Sequence, residues 1–105
     1  MAKLQDKVVV ITGGISGIGK ASAELFNKEG AKLVLVDLDE SKGNKVAEEF
    51  GGDTIFVQAD VTSEEDAKRV FDKTIEKFGR VDILFNNAGI GATKPTHEVS
   101  YAEYR

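Results

Sequence analysis

Short runs of uninterrupted apolar residues alternate along this chain with longer stretches in which apolar positions recur every three or four residues. The runs are Val8 to Ile11, Leu33 to Val36, Ile55 to Val57 and Ile83 to Phe85. None interleaves polar residues, so each is expected to be a strand covered on both faces, as in a parallel sheet. Between the runs the helical period takes over. Ile18, Ala21, Ser22, Leu25 and Phe26 follow one stripe, and Gly30 is placed to end it. A second helix, roughly Glu40 to Phe50, is weakened by Gly43 inside it. The third has the clearest pattern. Ala67, Val70, Phe71, Thr74, Ile75 and Phe78 share a face, Thr62 and Glu65 have capping-box spacing, and Gly79 is the stop. Glu64, Glu65 and Asp66 open this helix and Lys73 and Lys77 lie toward its end, which complements the helix dipole and reads as structural. Beyond Gly89, Ile90 to His97 reads as a loop, and Ser100 as the cap of a further helix cut off at Arg105.

The resulting β-α-β-α-β-α-β series predicts one dinucleotide-binding half over residues 1–105: a partial, three-layer α/β fold with a Rossmann-type doubly wound parallel sheet. Right-handed crossovers give strand order 3-2-1-4, and the direction of winding reverses between strands 1 and 4. Ligands bind at such a switch point. The segments after those two strands, Gly13 to Gly19 and Asn86 to Gly89, should face one crevice.

Thr12-Gly-Gly-Ile-Ser-Gly-Ile-Gly19 sits between the first strand and the first helix. A pyrophosphate needs backbone N–H donors and the positive end of a helix dipole at close range, with no Cβ atoms in the way. Gly13, Gly17 and Gly19 meet that need, in a G-x-x-x-G-x-G spacing that differs from the G-x-G-x-x-G form. Ser16 is a candidate phosphate contact through its backbone or hydroxyl, whereas Lys20 reads as part of the solvated helix face. Asp37, directly after the second strand, is placed to accept hydrogen bonds from the adenosine ribose, with Asp39 as the next candidate. The competing reading is that either aspartate only caps the next helix. An acidic ribose ligand favours NAD over NADP. A 2′-phosphate would meet the carboxylate, and no Lys or Arg stands at Ser16 or Leu38 to offset it.

With Thr12-Gly13, Gly17 and Gly19 followed downstream by Asp60-Val61 and by Asn86-Asn87-Ala88-Gly89, the chain resembles the short-chain dehydrogenase/reductase family from about Lys7 to its last residue. The resemblance implies that Ile18 offers its backbone N–H to pyrophosphate. It also implies that Asp60 accepts from the adenine amino group while the Val61 backbone lines the adenine pocket. Asn87, Ala88 and Gly89 are implied as the small, amide-bearing segment along the cofactor, with Thr12 bridging the first strand to the Asn segment. As a plain sequence, Asp60-Val61 is a strand-to-helix turn and Asn86 to Gly89 a polar turn ending a strand. Similar enzymes carry a catalytic Ser and a Tyr-x-x-x-Lys pair well past the N-N-A-G segment, and this chain stops at Arg105. The family assignment therefore implies an oxidoreductase moving hydride between nicotinamide and an alcohol or carbonyl, of which this chain is the cofactor part and is inactive alone.

Tyr101-Ala-Glu-Tyr-Arg105 imitates the Tyr-x-x-x-Lys spacing, but Arg stays protonated and cannot share in a proton relay as Lys can. The short interval from Gly89 to Tyr101 also leaves no room for the intervening helix and strand. No residue is assigned a catalytic role. The single His97 has no clustered partner, so no metal site is expected.

Composition fits this picture without sharpening it: 41% hydrophobic, 30% charged, 11 Gly and one Pro in 105 residues. A net charge of −4 gives no footprint for nucleic acid or anionic lipid. No apolar run approaches the ~20 residues of a bilayer span. The absence of Cys and of an apolar leader makes the cytoplasm the expected compartment. A stand-alone nucleotide-binding or interaction module is the alternative to the enzyme reading. A homo-oligomer is expected, because the fourth strand would otherwise be a bare edge and the third helix would cover its sheet face alone.

Overall fold

β1 (Val8–Thr12) has no residue facing water, and four consecutive residues of β2 (Lys32–Asp37), from Leu33 to Val36, are equally buried. β-branched and leucine side chains fill both sides of these strands, which forces helices onto both faces of the sheet. The structure, a computed structural model, describes residues 4–15 and 17–86 and the backbone of residues 98–101. Its elements continue with α1 (Gly17–Lys28), α2 (Glu40–Phe50), β3 (Thr54–Gln58), α3 (Glu64–Phe78), β4 (Ile83–Asn86) and β5 (Glu98–Tyr101). The sheet order is β3-β2-β1-β4-β5. The first four strands run parallel, with Val10 opposite both Val34 and Leu84.

Alternation along the strands divides the core in two. Val9, Ile11, Leu33, Leu35 and Ile83 point to the side of α1 and α2, where Ala23 and Val46 join them. Val10, Val34, Val36 and Val57 point to α3, where Val70 and Val81 complete the cluster. The expected order 3-2-1-4 and the expected faces of the helices are both observed.

Three local expectations are corrected. The inner face of α1 is not the Ile18–Leu25 stripe: Ile18 is 52% and Leu25 60% exposed, while Gly19 and Ala23 are buried. Small residues let this helix lie close on the sheet, and they leave no signal in a hydrophobicity pattern. Second, the cap of α3 is Ser63, whose hydroxyl accepts from Asp66 N–H at 3.3 Å, so the capping pair is one residue later than Thr62 and Glu65. Thr62 instead donates its hydroxyl to Asp60. Third, Ser100 lies in a strand and caps no helix. β5 runs antiparallel to β4, pairing Leu84 with Ser100 and Phe85 with Val99, so the fourth strand is not a bare edge.

The opposite end of the sheet is held by Asp82. Its carboxylate accepts the Val8 N–H at 2.8 Å and its own N–H donates to the Val8 carbonyl at 2.9 Å. Burial pushes the Asp82 carboxyl up, but the hydrogen bonds from Arg80 and Val8 and the charges of Arg80 and Lys7 outweigh it and hold the group below its usual value.

Gly43, which weakens α2 as a sequence, is buried because the helix backbone rests on the Phe56 ring of β3, and a Cβ there would overlap that ring. Gly43→Ala is expected to destabilise the fold by about 1–3 kcal/mol through overpacking, more than the roughly 1 kcal/mol that alanine contributes to helix propensity. Urea unfolding checks this, and Phe56→Leu in the same chain should recover most of the loss. A midpoint unchanged or raised by Gly43→Ala alone would show that α2 lifts from β3 at no cost.

Candidate functional site

Polar chemistry can gather only where the buried strands end. At the carboxyl ends of β1 and β4, the Thr12 hydroxyl donates to the Asn86 side-chain oxygen at 2.8 Å. This bond bridges the two strands between which the winding reverses, as the resemblance implied for Thr12. Next to it the chain turns into the glycine loop. Gly13 N–H donates to the Val36 carbonyl at 2.7 Å, which hitches the loop to the end of β2, and Ile15 is only 3% exposed, its side chain anchored in the core. Gly13 and Gly17 have φ of 68° and 55°, a region where a Cβ is strained, and the space beyond Gly17 is open. Gly14 is constrained in another way, since a Cβ there would stand 3.0 Å from the Ile11 carbonyl and 3.1 Å from Leu35. No acidic side chain sits in the first turn of α1. Its N-terminal end therefore offers an uncompensated positive dipole beside an open, Cβ-free approach, which fits the diphosphate of a dinucleotide.

Beside that loop lies a cleft of about 280 Å³, lined by Gly13, Val36, Asp37, Leu38, Ala59, Asp60, Val61 and Thr62. The ends of β2 and β3 form its two walls. The structure thus brings Gly13, Asp37, Asp60 and Val61 together, with Gly17, Ile18 and Gly19 opening α1. It also separates the two ribose candidates. Asp39 is the N-cap of α2, its carboxylate accepting Lys42 N–H at 3.0 Å, whereas Asp37 lines the cleft and its carboxylate, among the described residues, accepts from its neighbour Leu38 N–H at 2.7 Å. Lys20 pairs with Glu49 at 3.5 Å on the half-exposed helix surface. Ser16, Asn87, Ala88, Gly89 and His97 lie outside the described residues, as does the Tyr101 side chain.

Asp60 shapes its own turn. One carboxylate oxygen accepts both the N–H and the hydroxyl of Thr62, at 2.9 and 2.6 Å. The Thr62 hydroxyl bond and then its N–H bond hold the Asp60 carboxyl below its ordinary value. Sequence reasoning missed Leu38 and Thr62 as cleft residues. Leu38 carries a usable signal, since a leucine 62% exposed at the mouth of a cleft invites a flat apolar ligand, but that exposure is visible only once α2 is known to start at Glu40.

A doubly wound parallel sheet with a glycine loop entering a helix at the β1/β4 switch point defines the class of Rossmann-type dinucleotide-binding proteins. Residues 7–105 match the family model described as short chain dehydrogenase, and the chain belongs to that family. It is 47% identical to tropinone reductase-like 1 of Erythroxylum coca over 84% of its own length and 32% of that protein. It is 44% identical to 3-hydroxyacyl-CoA dehydrogenase type-2 of Drosophila melanogaster over 89% of its length and 36% of that protein. Among solved structures it resembles a 3-ketoacyl-(acyl-carrier-protein) reductase from Brucella melitensis complexed with NADH, with a TM-score of 0.76 and 43% identity over 78% of this chain and 34% of that one. The chain thus spans about a third of the length of these relatives.

Proposed function

We propose that this chain is the NAD-binding portion of a short-chain dehydrogenase/reductase, an oxidoreductase that transfers hydride between nicotinamide and an alcohol or carbonyl substrate. The observation that carries the reading is the cleft walled by Asp37 and Asp60 beside the Gly13 loop and the open N-terminus of α1. Asp37, Asp60 and Val61 hold the adenosine half, and the backbone of Gly17, Ile18 and Gly19, with Ser16, takes the pyrophosphate. Asn87, Ala88 and Gly89, next in sequence after β4, are included on the family resemblance, and the nicotinamide supplies the hydride chemistry when bound.

The choice of NAD follows from charge. Among the described residues no Lys or Arg lines the cleft, and Asp37 would face the 2′-phosphate of NADP across a short distance. Calorimetric titration of the chain should therefore show tighter binding of NAD than of NADP. Asp37→Ala should narrow the difference, by an amount on the order of 1 kcal/mol or more if the carboxylate is a hydrogen-bonding ligand. Equal or tighter NADP binding would refute the assignment.

The chain alone is expected to be inactive, because the family resemblance implies a Ser and Tyr-x-x-x-Lys set well past the N-N-A-G segment and no such set stands between Gly89 and Arg105. NAD reduction across a panel of alcohols should stay at background. Activity that Tyr101→Phe abolishes would place the catalytic pair within this chain.

Self-association is part of the same reading, by the second of the two routes the sequence implied, the sheet face that α3 covers alone. β5 occupies the edge of β4, but among the described residues an apolar groove of about 350 Å³ lies beside α3, with Ala67, Val70 and Phe71 on its helix side and with Thr12, Asn86 and Val61 at the end that meets the site. A second copy of the chain would cover its α3 side at Val70 and Phe71 and leave the Thr12, Asn86 and Val61 end to the cofactor. Sedimentation at micromolar concentration should show a mass that rises with concentration and falls back to the monomer in Phe71→Glu, and a well-folded monomer at all concentrations would exclude it.

A further inference from the structure

Asp66 and Arg69 stand one helical turn apart at the start of α3, and neither lines the cleft. Both nevertheless grip the strand end that does. One Asp66 carboxylate oxygen accepts the Asp60 N–H at 2.8 Å, and the Arg69 guanidinium donates to the Gln58 carbonyl at 2.6 Å. The two side chains face each other at 3.5 Å. The segment from Gln58 to Asp60 is therefore held from behind at both ends while its front, Ala59 and Asp60, forms a wall of the cleft. The opposite wall is tied to the same segment, because Ala59 N–H donates to the Asp37 carbonyl at 3.0 Å.

As an ion pair the two groups contribute little, since both are partly exposed. Their effect lies in direction. A backbone turn after a strand has several low-energy orientations, and a ligand that needs one of them binds more weakly by the fraction of chains holding another. Asp66 and Arg69 select one orientation by bonding to the peptide groups on either side of Ala59. We propose that Asp66 and Arg69 are positioning residues for the adenosine end of the cleft, fixing the Gln58–Asp60 backbone so that the Asp60 carboxylate and the Asp37 wall meet a ligand in a set geometry. This inference rests on the cleft taking the adenosine half of the cofactor.

The test compares the chain with its Asp66→Ala, Asp66→Asn and Arg69→Met variants, titrating AMP as the adenosine probe and inorganic pyrophosphate as the probe of the glycine loop, at a temperature well below each unfolding midpoint. Asp66→Ala and Arg69→Met should each weaken AMP binding by about tenfold, the order expected for one lost charge-assisted contact. Asp66→Asn, whose amide oxygen still accepts the Asp60 N–H, should recover most of it. Pyrophosphate binding should be the same in all four proteins. A purely structural role would lower the unfolding midpoint and leave AMP affinity unchanged in the folded fraction, and that result, or equal weakening of both probes, overturns the inference. Because Arg69→Met removes the other anchor and keeps a good helix former, the outcome does not depend on Asp66→Ala folding. AMP binding by the parent chain that ignores all three substitutions refutes the positioning role alone. Failure of the parent chain to bind AMP refutes the assignment of the cleft, and the inference with it.

Discussion

The constraint on which the rest of this structure depends is that β1 and the middle of β2 have no side facing water. A strand buried on both faces can hold polar groups only at its ends, since a polar side chain in the middle would have to be desolvated and paired. The chain observes this closely. Within the two central strands the buried residues are Val, Leu and Ile until Thr12, and Thr12 closes its hydrogen bond to Asn86 at the point where the loop begins. Every candidate ligand group then follows from that boundary: Gly13 after β1, Asp37 at the end of β2, Asp60 after β3 and the Asn segment after β4. The cleft lies where it does because the core excludes it from anywhere else.

The same boundary explains what the sequence made legible. Runs such as Val8 to Ile11 and Leu33 to Val36 have one reading, since continuous apolarity at that length suits a doubly covered strand, and the right-handed crossover then fixes the order of the four parallel strands. The glycine loop is legible for a related reason: it combines glycines at turn positions with a strand before and a helix after. Features set by contact between elements were not legible. The packing face of α1 depends on the smallness of Gly19 and Ala23, and the burial of Gly43 depends on the Phe56 ring. β5 pairs through its backbone with a strand across a long connection, an interaction with no local pattern to announce it. Asp37 ranked ahead of Asp39 by its place directly after the second strand, but that either aspartate caps the next helix stayed open until the structure gave the cap of α2 to Asp39.

Electrostatics at the crevice follow a division that composition conceals. With a net charge of −4, the chain has no general attraction for an anion. What the site offers a diphosphate is local: backbone N–H groups at the start of α1, in a first turn without a carboxylate. The carboxylates Asp37 and Asp60 line the cleft beside Gly13, so the negative side chains stand apart from the helix end that carries the positive dipole.

Asp60 shows why a structural and a functional role need not compete for one residue. A carboxylate has about four acceptor positions, and the Asp60 turn uses one oxygen for both the N–H and the hydroxyl of Thr62. The other oxygen accepts from no described residue. The two bonds that build the turn also hold the carboxyl below its ordinary value, so the interactions that shape the loop before α3 favour the charged form of the same group. Asp66 holds the backbone N–H of the same residue, leaving the side chain with a fixed base and one oxygen that no described residue engages. A strand-to-helix turn built in this way fixes the direction of its carboxylate through its own hydrogen bonds, so a ligand reaching the other oxygen would not have to order it first.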